Sequence, residues 1–198
     1  RFDVLGVSFS HDDNSEMRGR LVRAFDQFHD VRAASDRDVA KLLNDLEVDI
    51  AVDLKGYTQD CRPEILAHRP APIQVNYLGY PGTMAAEFFD YIIADKIVLP
   101  FDQQALCTEK IVHLPDSYQV NDAQRTIGAP TPTRQEAGLP PQGFVFCCFN
   151  NNYKITRPVF EVWMRLLAKV EGSVLWLLRD NPGAETNLRR EAGARGID

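Results

Sequence analysis

The chain has 198 residues, of which 44% are hydrophobic and 25% are charged, proportions typical of a globular protein with a buried core. Its net charge of -6 and its isoelectric point near 5.2 argue against a general nucleic-acid-binding surface. No apolar stretch approaches the ~20 residues that a membrane span needs, so we expect a cytoplasmic protein that binds neither nucleic acid nor a membrane.

Short apolar runs alternate with amphipathic stretches over the first half of the chain, a pattern that predicts parallel strands joined by helices. Strands are predicted at residues 2–9, 48–54, 73–77, 91–94 and 110–114, and helices at 16–28, 37–46 and 62–68. Either Ser35 or Asp36 is suited to cap the second of these helices.

The character of the chain changes between residues 116 and 143, where turn residues dominate and apolar residues are sparse. This stretch predicts a connection between two domains. Beyond it, strands are predicted at 144–149 and 173–178 and helices at 156–170 and 185–194. Two strands are too few for a complete parallel sheet, so we expect a piece of a longer protein with a truncated second domain.

The cysteines and histidines carry no metal-site signature. The four cysteines lack C-x-x-C spacing, which favours reduced thiols over disulfides: Cys61, Cys107, Cys147 and Cys148. The four histidines are scattered and have no flanking carboxylate cluster. We therefore expect no bound metal.

Residues 78–83 (Leu-Gly-Tyr-Pro-Gly-Thr) follow a predicted strand without regular periodicity. In open α/β sheets ligands bind beyond the carboxyl ends of the strands, so Gly79 and Gly82 could bring the main chain close to a bound group. On that hypothesis Gly79→Val would abolish activity and leave the fold intact. A tight connection without a ligand explains the spacing equally well.

Residues 149–156 (Phe-Asn-Asn-Asn-Tyr-Lys-Ile-Thr) also join a strand to a helix. Lys154 stands just before the helix N-terminus, where an ammonium and the helix dipole together suit a diphosphate. The amides of Asn151 and Asn152 could add hydrogen bonds to a nucleotide. The spacing alone slightly favours an ordinary Asn-rich turn with Thr156 as the helix cap.

Residues 53–63 form a third connection between a strand and a helix. Gly56 can take a left-handed conformation that turns Tyr57 and Thr58 outward. Asp60 is suited to cap the helix that contains Pro63 in its first turn.

In the second half of the chain, Trp163 and Trp176 are expected to fill the core.

Taken together, these stretches resemble the catalytic region of the O-linked N-acetylglucosamine transferases and the related plant SPINDLY proteins. The matching residues keep their order over nearly the whole chain and lie at 53–58, 69–74, 78–83, 90–95, 149–150, 153–154 and 173–179. The block around Gly79 is highly specific, whereas the Tyr153-Lys154 pair is weak by itself.

The resemblance implies an α/β fold of the GT-B type, in which two Rossmann-like domains face each other. Residues 1–121 would be the N-terminal catalytic domain without its first strand, 122–142 the linker, and 143–198 the start of the donor-binding domain. The short linker is similar to that of bacterial members. Relatives usually carry tetratricopeptide repeats upstream, and no such repeat is visible in this chain.

The resemblance further implies transfer of N-acetylglucosamine from UDP-N-acetylglucosamine to serine or threonine of a protein acceptor, with inversion and without a metal or cofactor. Lys154 would be catalytic, and Asn151 and Tyr153 would help it to bind the nucleotide sugar. The wall that faces the sugar and the acceptor would contain Thr58, Leu78, Gly79 and Pro81.

Three departures from the family pattern leave alternatives open. An upstream histidine and a downstream His-Thr-Thr segment of the family lie outside the chain, and Asn151 replaces a family glutamine. We therefore expect the chain to be inactive by itself. A protein O-fucosyltransferase that uses GDP-fucose and a non-catalytic scaffold that binds peptides are the alternative functions.

Overall fold

The computed structural model describes residues 2–197 and divides into two compact units, Arg1–Ala123 and Gln124–Asp198. Residues 2–123 of the first unit contain six strands: β1 (Leu5–Ser8), β2 (Gln27–Asp30), β3 (Ile50–Asp53), β4 (Ile73–Tyr77), β5 (Tyr91–Ala94) and β6 (Lys110–His113). Strands β1 and β2 pair in parallel, and β3-β4-β5-β6 form a four-stranded parallel sheet in that order. The parallel strand arrangement predicted from the sequence is confirmed.

The helices of the first unit are short, and side chains cap the first two of them. They are α1 (Glu16–Ala24), α2 (Asp36–Asp45), α3 (Glu64–Ala67) and a 3-10 helix at Phe101–Leu106. Ser15 and Ser35 accept hydrogen bonds from backbone N–H groups of α1 and α2, so Ser35 is the cap of the second helix. The prediction for Asp60 is wrong, because Pro63 stands at the start of α3 and no side chain caps it.

The predicted helix at 16–28 is also wrong at its end. Helix α1 ends at Ala24, and residues Gln27–Asp30 form β2. The backbone N–H of Asp26 donates to the carbonyl oxygen of Val4, and that of Val31 donates to Ser8, which draws this stretch alongside β1. Apolar residues three positions apart, such as Phe25 and Phe28, suit a helix face, but pairing with a distant strand decides the structure here.

The main core of the first unit lies between the sheet and its covering elements. Its buried members come from α2, α3, β3 and the connections that follow β2, precede β4 and lead into β5: Val31, Val39, Ala40, Leu43, Ala51, Ile65, Leu66, Ala71, Met84 and Phe89. A smaller cluster consists of Ile92, Ala94, Leu99 and Ile111. Strand β4 has buried residues on both faces, as expected for the interior of a parallel sheet.

The second unit consists of one parallel strand pair and two helices. Its elements are β7 (Val145–Cys148), α4 (Arg157–Lys169), β8 (Val174–Leu177) and α5 (Pro182–Gly193). Phe160 and Met164 are the buried residues of α4, whereas Trp163 is half-buried. Trp176 is 36% exposed and meets Phe149 edge-on with ring centroids 5.0 Å apart, so the prediction that it fills the core is wrong.

Residues 119–136 are exposed throughout, and the turn-rich composition of this stretch agrees with its lack of a buried face. The four cysteines carry free thiols. Within residues 2–197, no helix combines the length and the apolar character needed to cross a membrane.

Candidate functional site

Residues 78–84, here called the 78–84 segment, leave the carboxyl end of β4 in a strained conformation. Leu78 has a φ of +74°, a left-handed value that is unusual for a non-glycine residue. The backbone N–H of Gly79 donates to the carbonyl oxygen of Tyr77 at 3.0 Å, so the chain reverses at once after the strand. Such strain persists only where surrounding contacts fix the backbone.

Gly79 lies against the chain that follows β3. A Cβ atom at this position would stand 2.3 Å from the carbonyl oxygen of Leu54 and 3.0 Å from that of Lys55. The residue is therefore required by contact between two backbones of the protein itself. This corrects the expectation that Gly79→Val would leave the fold intact, because the larger side chain has no room even without a ligand.

The turn after β3 packs against the 78–84 segment at further points. The Asp53 carboxylate accepts the N–H groups of Lys55 and Gly56, and Gly56 takes the left-handed φ of +54° that the sequence suggested. The hydroxyl of Tyr57 donates to the carbonyl oxygen of Met84 at 2.9 Å. Thr58 is exposed beside this turn, so the structure brings the two predicted wall segments together.

Two fully buried polar side chains support the 78–84 segment, and neither is predicted from the sequence. Asn76 donates from Nδ2 to the carbonyl oxygens of Tyr80 and Gly82 at 3.2 and 2.9 Å. Glu109 accepts hydrogen bonds from the other end of the segment. A polar residue such as Asn76 in a strand buried on both faces is the signal that could have revealed this support.

Residues 150–154, here called the 150–154 turn, connect β7 to α4 through a 3-10 helix at Asn152–Lys154. Lys154 and Asn151 are exposed, and Tyr153 is 79% exposed. Among residues 2–197, none forms a hydrogen bond or ion pair with the Lys154 ammonium. The three predicted donor-site residues therefore stand together on one exposed turn.

The start of α4 adds to the positive character of the 150–154 turn. Thr156 occupies the cap position, as predicted, but its side chain makes no capping hydrogen bond. The first turn of α4 contains no acidic residue and includes the exposed Arg157. Unsatisfied N–H groups beside two cations form an environment that favours an anionic ligand.

Within residues 2–197, two side chains of the 150–154 turn form hydrogen bonds with residues outside it: Asn150 donates from Nδ2 to the Sγ atom of Cys148 in β7 at 3.6 Å, and Asn152 bonds to Asp180. Asn152 donates from Nδ2 to the carboxylate of Asp180, which follows β8, while its own Oδ1 is buried without a hydrogen-bond partner. No group of three or more histidine, cysteine or acidic side chains within residues 2–197 is arranged to hold a metal ion.

Comparison with known proteins gives consistent matches along the whole chain. The family model for glycosyl transferase family 41 matches residues 1–131 and 128–198. The chain is 39% identical, over 98% of its length, to 20% of a probable UDP-N-acetylglucosamine–peptide N-acetylglucosaminyltransferase, SEC, of Arabidopsis thaliana. It is 33% identical, over 80% of its length, to 17% of the SPINDLY protein of the same plant. The chain thus spans about a fifth of the curated relatives it matches.

A solved structure extends the similarity to the fold. A lysine-to-methionine mutant of the Thermobaculum terrenum O-GlcNAc transferase superposes with a TM-score of 0.85 and 26% identity. The match covers 98% of this chain and 36% of that one. The predicted α/β fold of the GT-B type is confirmed.

Proposed function

The chain belongs to glycosyl transferase family 41, and on that premise we propose that its protein transfers N-acetylglucosamine from UDP-N-acetylglucosamine to serine or threonine hydroxyls of protein acceptors, with inversion. Relatives at 39% and 33% identity carry names that state this donor and a peptide acceptor. Lys154 carries the proposal, because its exposed ammonium, which has no partner among residues 2–197, stands before a helix start that suits phosphates.

In the proposed reaction the acceptor oxygen forms a bond to the anomeric carbon while the bond from that carbon to the diphosphate breaks. UDP leaves with the bonding electrons, and the acceptor hydroxyl loses its proton to a base. Negative charge grows on the leaving diphosphate in the transition state, so a cation fixed beside it accelerates the step more than it strengthens ground-state binding. We assign that role to Lys154, with Asn151 and Tyr153 as neighbours that bind the nucleotide.

The sugar and the acceptor would contact the wall formed by Thr58, Leu78, Gly79 and Pro81. Thr58, Gly79 and Pro81 are exposed and Leu78 is half-buried, so all four present surface to a ligand. Their backbone is held in place by the contacts between the turn after β3 and the 78–84 segment. A wall that is rigid before the ligand arrives loses little entropy on binding.

We also propose that the protein acts in the cytoplasm and requires no metal. Four free thiols agree with a reducing compartment. In this reaction scheme Lys154 supplies the positive charge that a divalent ion would otherwise supply to the diphosphate.

The test uses the full-length protein with a protein acceptor and isotopically labelled donors. We expect label from UDP-N-acetylglucosamine to appear on serine or threonine and to persist in EDTA, and we expect the rate of labelling to fall about 10²- to 10³-fold in Lys154→Ala. Transfer from GDP-fucose instead would replace the proposed donor. Peptide binding without transfer from either donor would show a non-catalytic scaffold, and a loss of transfer in EDTA would contradict the absence of a metal requirement.

A further inference from the structure

Glu109 is a fully buried carboxyl group that stands immediately before β6. Among residues 2–197, no lysine, arginine or histidine forms an ion pair with it. Its Oε1 accepts the backbone N–H of Met84 at 2.6 Å, and its Oε2 accepts the hydroxyl of Thr83 at 2.6 Å. The hydroxyl of the adjacent Thr108 also donates to Oε2 at 3.1 Å.

A buried acidic side chain without a counter-charge costs free energy, and an apolar residue of similar size would avoid that cost. Glu109 therefore contributes something other than packing. Two of its three donors belong to the 78–84 segment, which is 25 and 26 residues away in sequence. The contact joins the far end of that segment to the start of β6.

The 78–84 segment is consequently attached at four separate points. Gly79 abuts the chain after β3, and Asn76 holds the carbonyl oxygens on either side of Pro81. At the end of the segment, Glu109 holds Thr83 and the Met84 N–H, and the Tyr57 hydroxyl donates to the Met84 carbonyl oxygen. Thr83 extends the attachment to Glu109, since its Oγ1 also accepts the backbone N–H of Ala85 at 3.0 Å. The first two attachments lie at the start and middle of the segment, and Glu109 holds its end together with Tyr57, as the buried acceptor of the Thr83 hydroxyl and the Met84 N–H.

We propose that Glu109 is a positioning residue of the transferase, which holds the end of the 78–84 segment so that Leu78, Gly79 and Pro81 form the wall for the sugar and acceptor before either binds. The expected change in kinetics rests on the proposed function. The hydrogen bonds from Thr83 and Met84 to Glu109 do not depend on whether the protein transfers sugar. A displacement of about 1 Å in groups that position a substrate can reduce rates by about 100-fold.

Asp95 provides a matched control in the same unit. It is also a buried carboxyl, 5% exposed, and it accepts three backbone N–H groups, from Ile97, Val98 and Tyr118. None of these donors belongs to the 78–84 segment. A variant of Asp95 therefore reports what the loss of a buried, hydrogen-bonded carboxylate does to stability alone.

The experiment compares Glu109→Gln, Thr83→Val, the double variant and Asp95→Asn in the full-length protein. Hydrogen exchange of the Met84 amide and steady-state kinetics of sugar transfer are measured on folded protein. For Glu109→Gln we expect faster exchange at Met84 and a fall in kcat/KM for the acceptor peptide of about 10- to 100-fold, mainly through KM. Asp95→Asn should unfold at a lower temperature and keep wild-type kinetics and Met84 exchange.

The double variant and a conservative variant separate positioning from general damage. Because Glu109 and Thr83 act through one contact, Glu109→Gln with Thr83→Val should lose no more activity than the worse single variant. Thr83→Ser retains the hydroxyl and should recover most of the activity that Thr83→Val loses. Additive losses, or equal losses in Thr83→Ser and Thr83→Val, would overturn the proposal.

Two outcomes distinguish this inference from the proposed function. Unchanged Met84 exchange in Glu109→Gln would overturn the positioning role whether or not the wild type transfers sugar. Faster exchange in that variant, combined with a wild-type protein that transfers no sugar, would overturn the proposed function and leave the anchoring supported. If Glu109→Gln fails to fold, Thr83→Val tests the same contact from its other side without removing the carboxyl group.

Discussion

The 78–84 segment and the 150–154 turn both follow parallel strands, but the fold supports them differently. The backbone of the 78–84 segment is strained at Leu78, and the fully buried side chains of Asn76 and Glu109 hold the segment by hydrogen bonds. The 150–154 turn is exposed at Asn151, Tyr153 and Lys154, and its side-chain hydrogen bonds to residues outside it run from Asn150 to Cys148 and from Asn152 to Asp180.

This difference indicates two ways of preparing a binding surface. A segment held by buried hydrogen bonds has its shape before a ligand arrives, and damage to it should appear in stability and in substrate positioning together. A cation on an exposed turn is held less firmly and stays hydrated until an anion replaces the water. Changes on the 150–154 turn should therefore alter kinetics and leave stability nearly unchanged.

The largest expected effect is that of Lys154→Ala on turnover. One charged contact that stabilises the transition state is worth about 10²- to 10³-fold in kcat, so kcat should fall by this amount with a smaller change in acceptor KM. The melting temperature should stay the same, because Lys154 is exposed and no residue within 2–197 pairs with it.

Lys169→Ala is the matched control for that measurement. Lys169 is also an exposed lysine of the second unit, but it stands at the C-terminal end of α4 instead of before its start. Its removal should leave kcat unchanged. If both variants lose activity equally, or if neither loses any, the assignment of the diphosphate to the 150–154 turn is wrong.

Gly79→Val should have the largest effect on stability. The added Cβ would stand 2.3 Å from the Leu54 carbonyl oxygen, and relief requires movement of backbone atoms. Overpacking of this kind costs about 1–3 kcal/mol or more, so thermal unfolding should occur at a clearly lower temperature. Gly128→Ala is the control, since no atom lies within 4 Å of a Cβ built there. A wild-type melting temperature for Gly79→Val would refute the packing role and revive ligand contact as the reason for this glycine.

Gly79 also shows which features of the site can be predicted from the sequence and which cannot. The irregular stretch after β4 predicts a special position for this residue, and strands β4 and β5 have the bounds predicted for them. The identity of the neighbour could not be predicted, because Leu54 and Lys55 reach Gly79 only through the pairing of β3 with β4. Local sequence patterns predict that a strand or helix forms, whereas the pairing of distant strands decides which residues it contacts.

The same limit explains the missed strand and the missed anchors. Residues 27 and 28 continue the spacing of the predicted helix at 16–28, but residues 27–30 form β2 because they pair with β1. Glu109 has no local signal of its role, since its donors are 25 and 26 residues away. Lys154 was found because its position just before a helix is visible in the chain itself, although its role in binding a donor stays a prediction.

A smaller effect should appear in the pH dependence of stability. The hydrogen bond from the Tyr118 N–H, followed by that from Val98, holds the pKa of Asp95 below its ordinary value of 3.8. Because the folded pKa is depressed, the stabilisation is complete well above pH 3.8 and is lost as the pH falls through the folded pKa. Unfolding of the wild type and of Asp95→Asn between pH 2 and pH 7 should give a difference that shrinks below about pH 4. A constant difference would show that this carboxylate does not contribute through its charge.

The smallest expected effect, and the sharpest test of the contrast between the two regions, is that of Asn152→Ala. The change removes the hydrogen bond to Asp180, which is worth about 1 kcal/mol, but it also removes a buried Oδ1 that has no hydrogen-bond partner. An unsatisfied buried acceptor costs about 1–3 kcal/mol, so the two terms oppose each other and the melting temperature should hardly change. The freed turn must then be ordered by the donor, and the KM for the nucleotide sugar should rise about 2- to 5-fold at similar kcat.

Asp180→Ala is the companion variant. It should raise KM in the same way but lower stability slightly, because both the Nδ2 and the Oδ1 of Asn152 then lack a hydrogen-bond partner. A large fall in melting temperature for Asn152→Ala would mean that the 150–154 turn is as firmly built into its unit as the 78–84 segment, and the contrast between the two regions would fail.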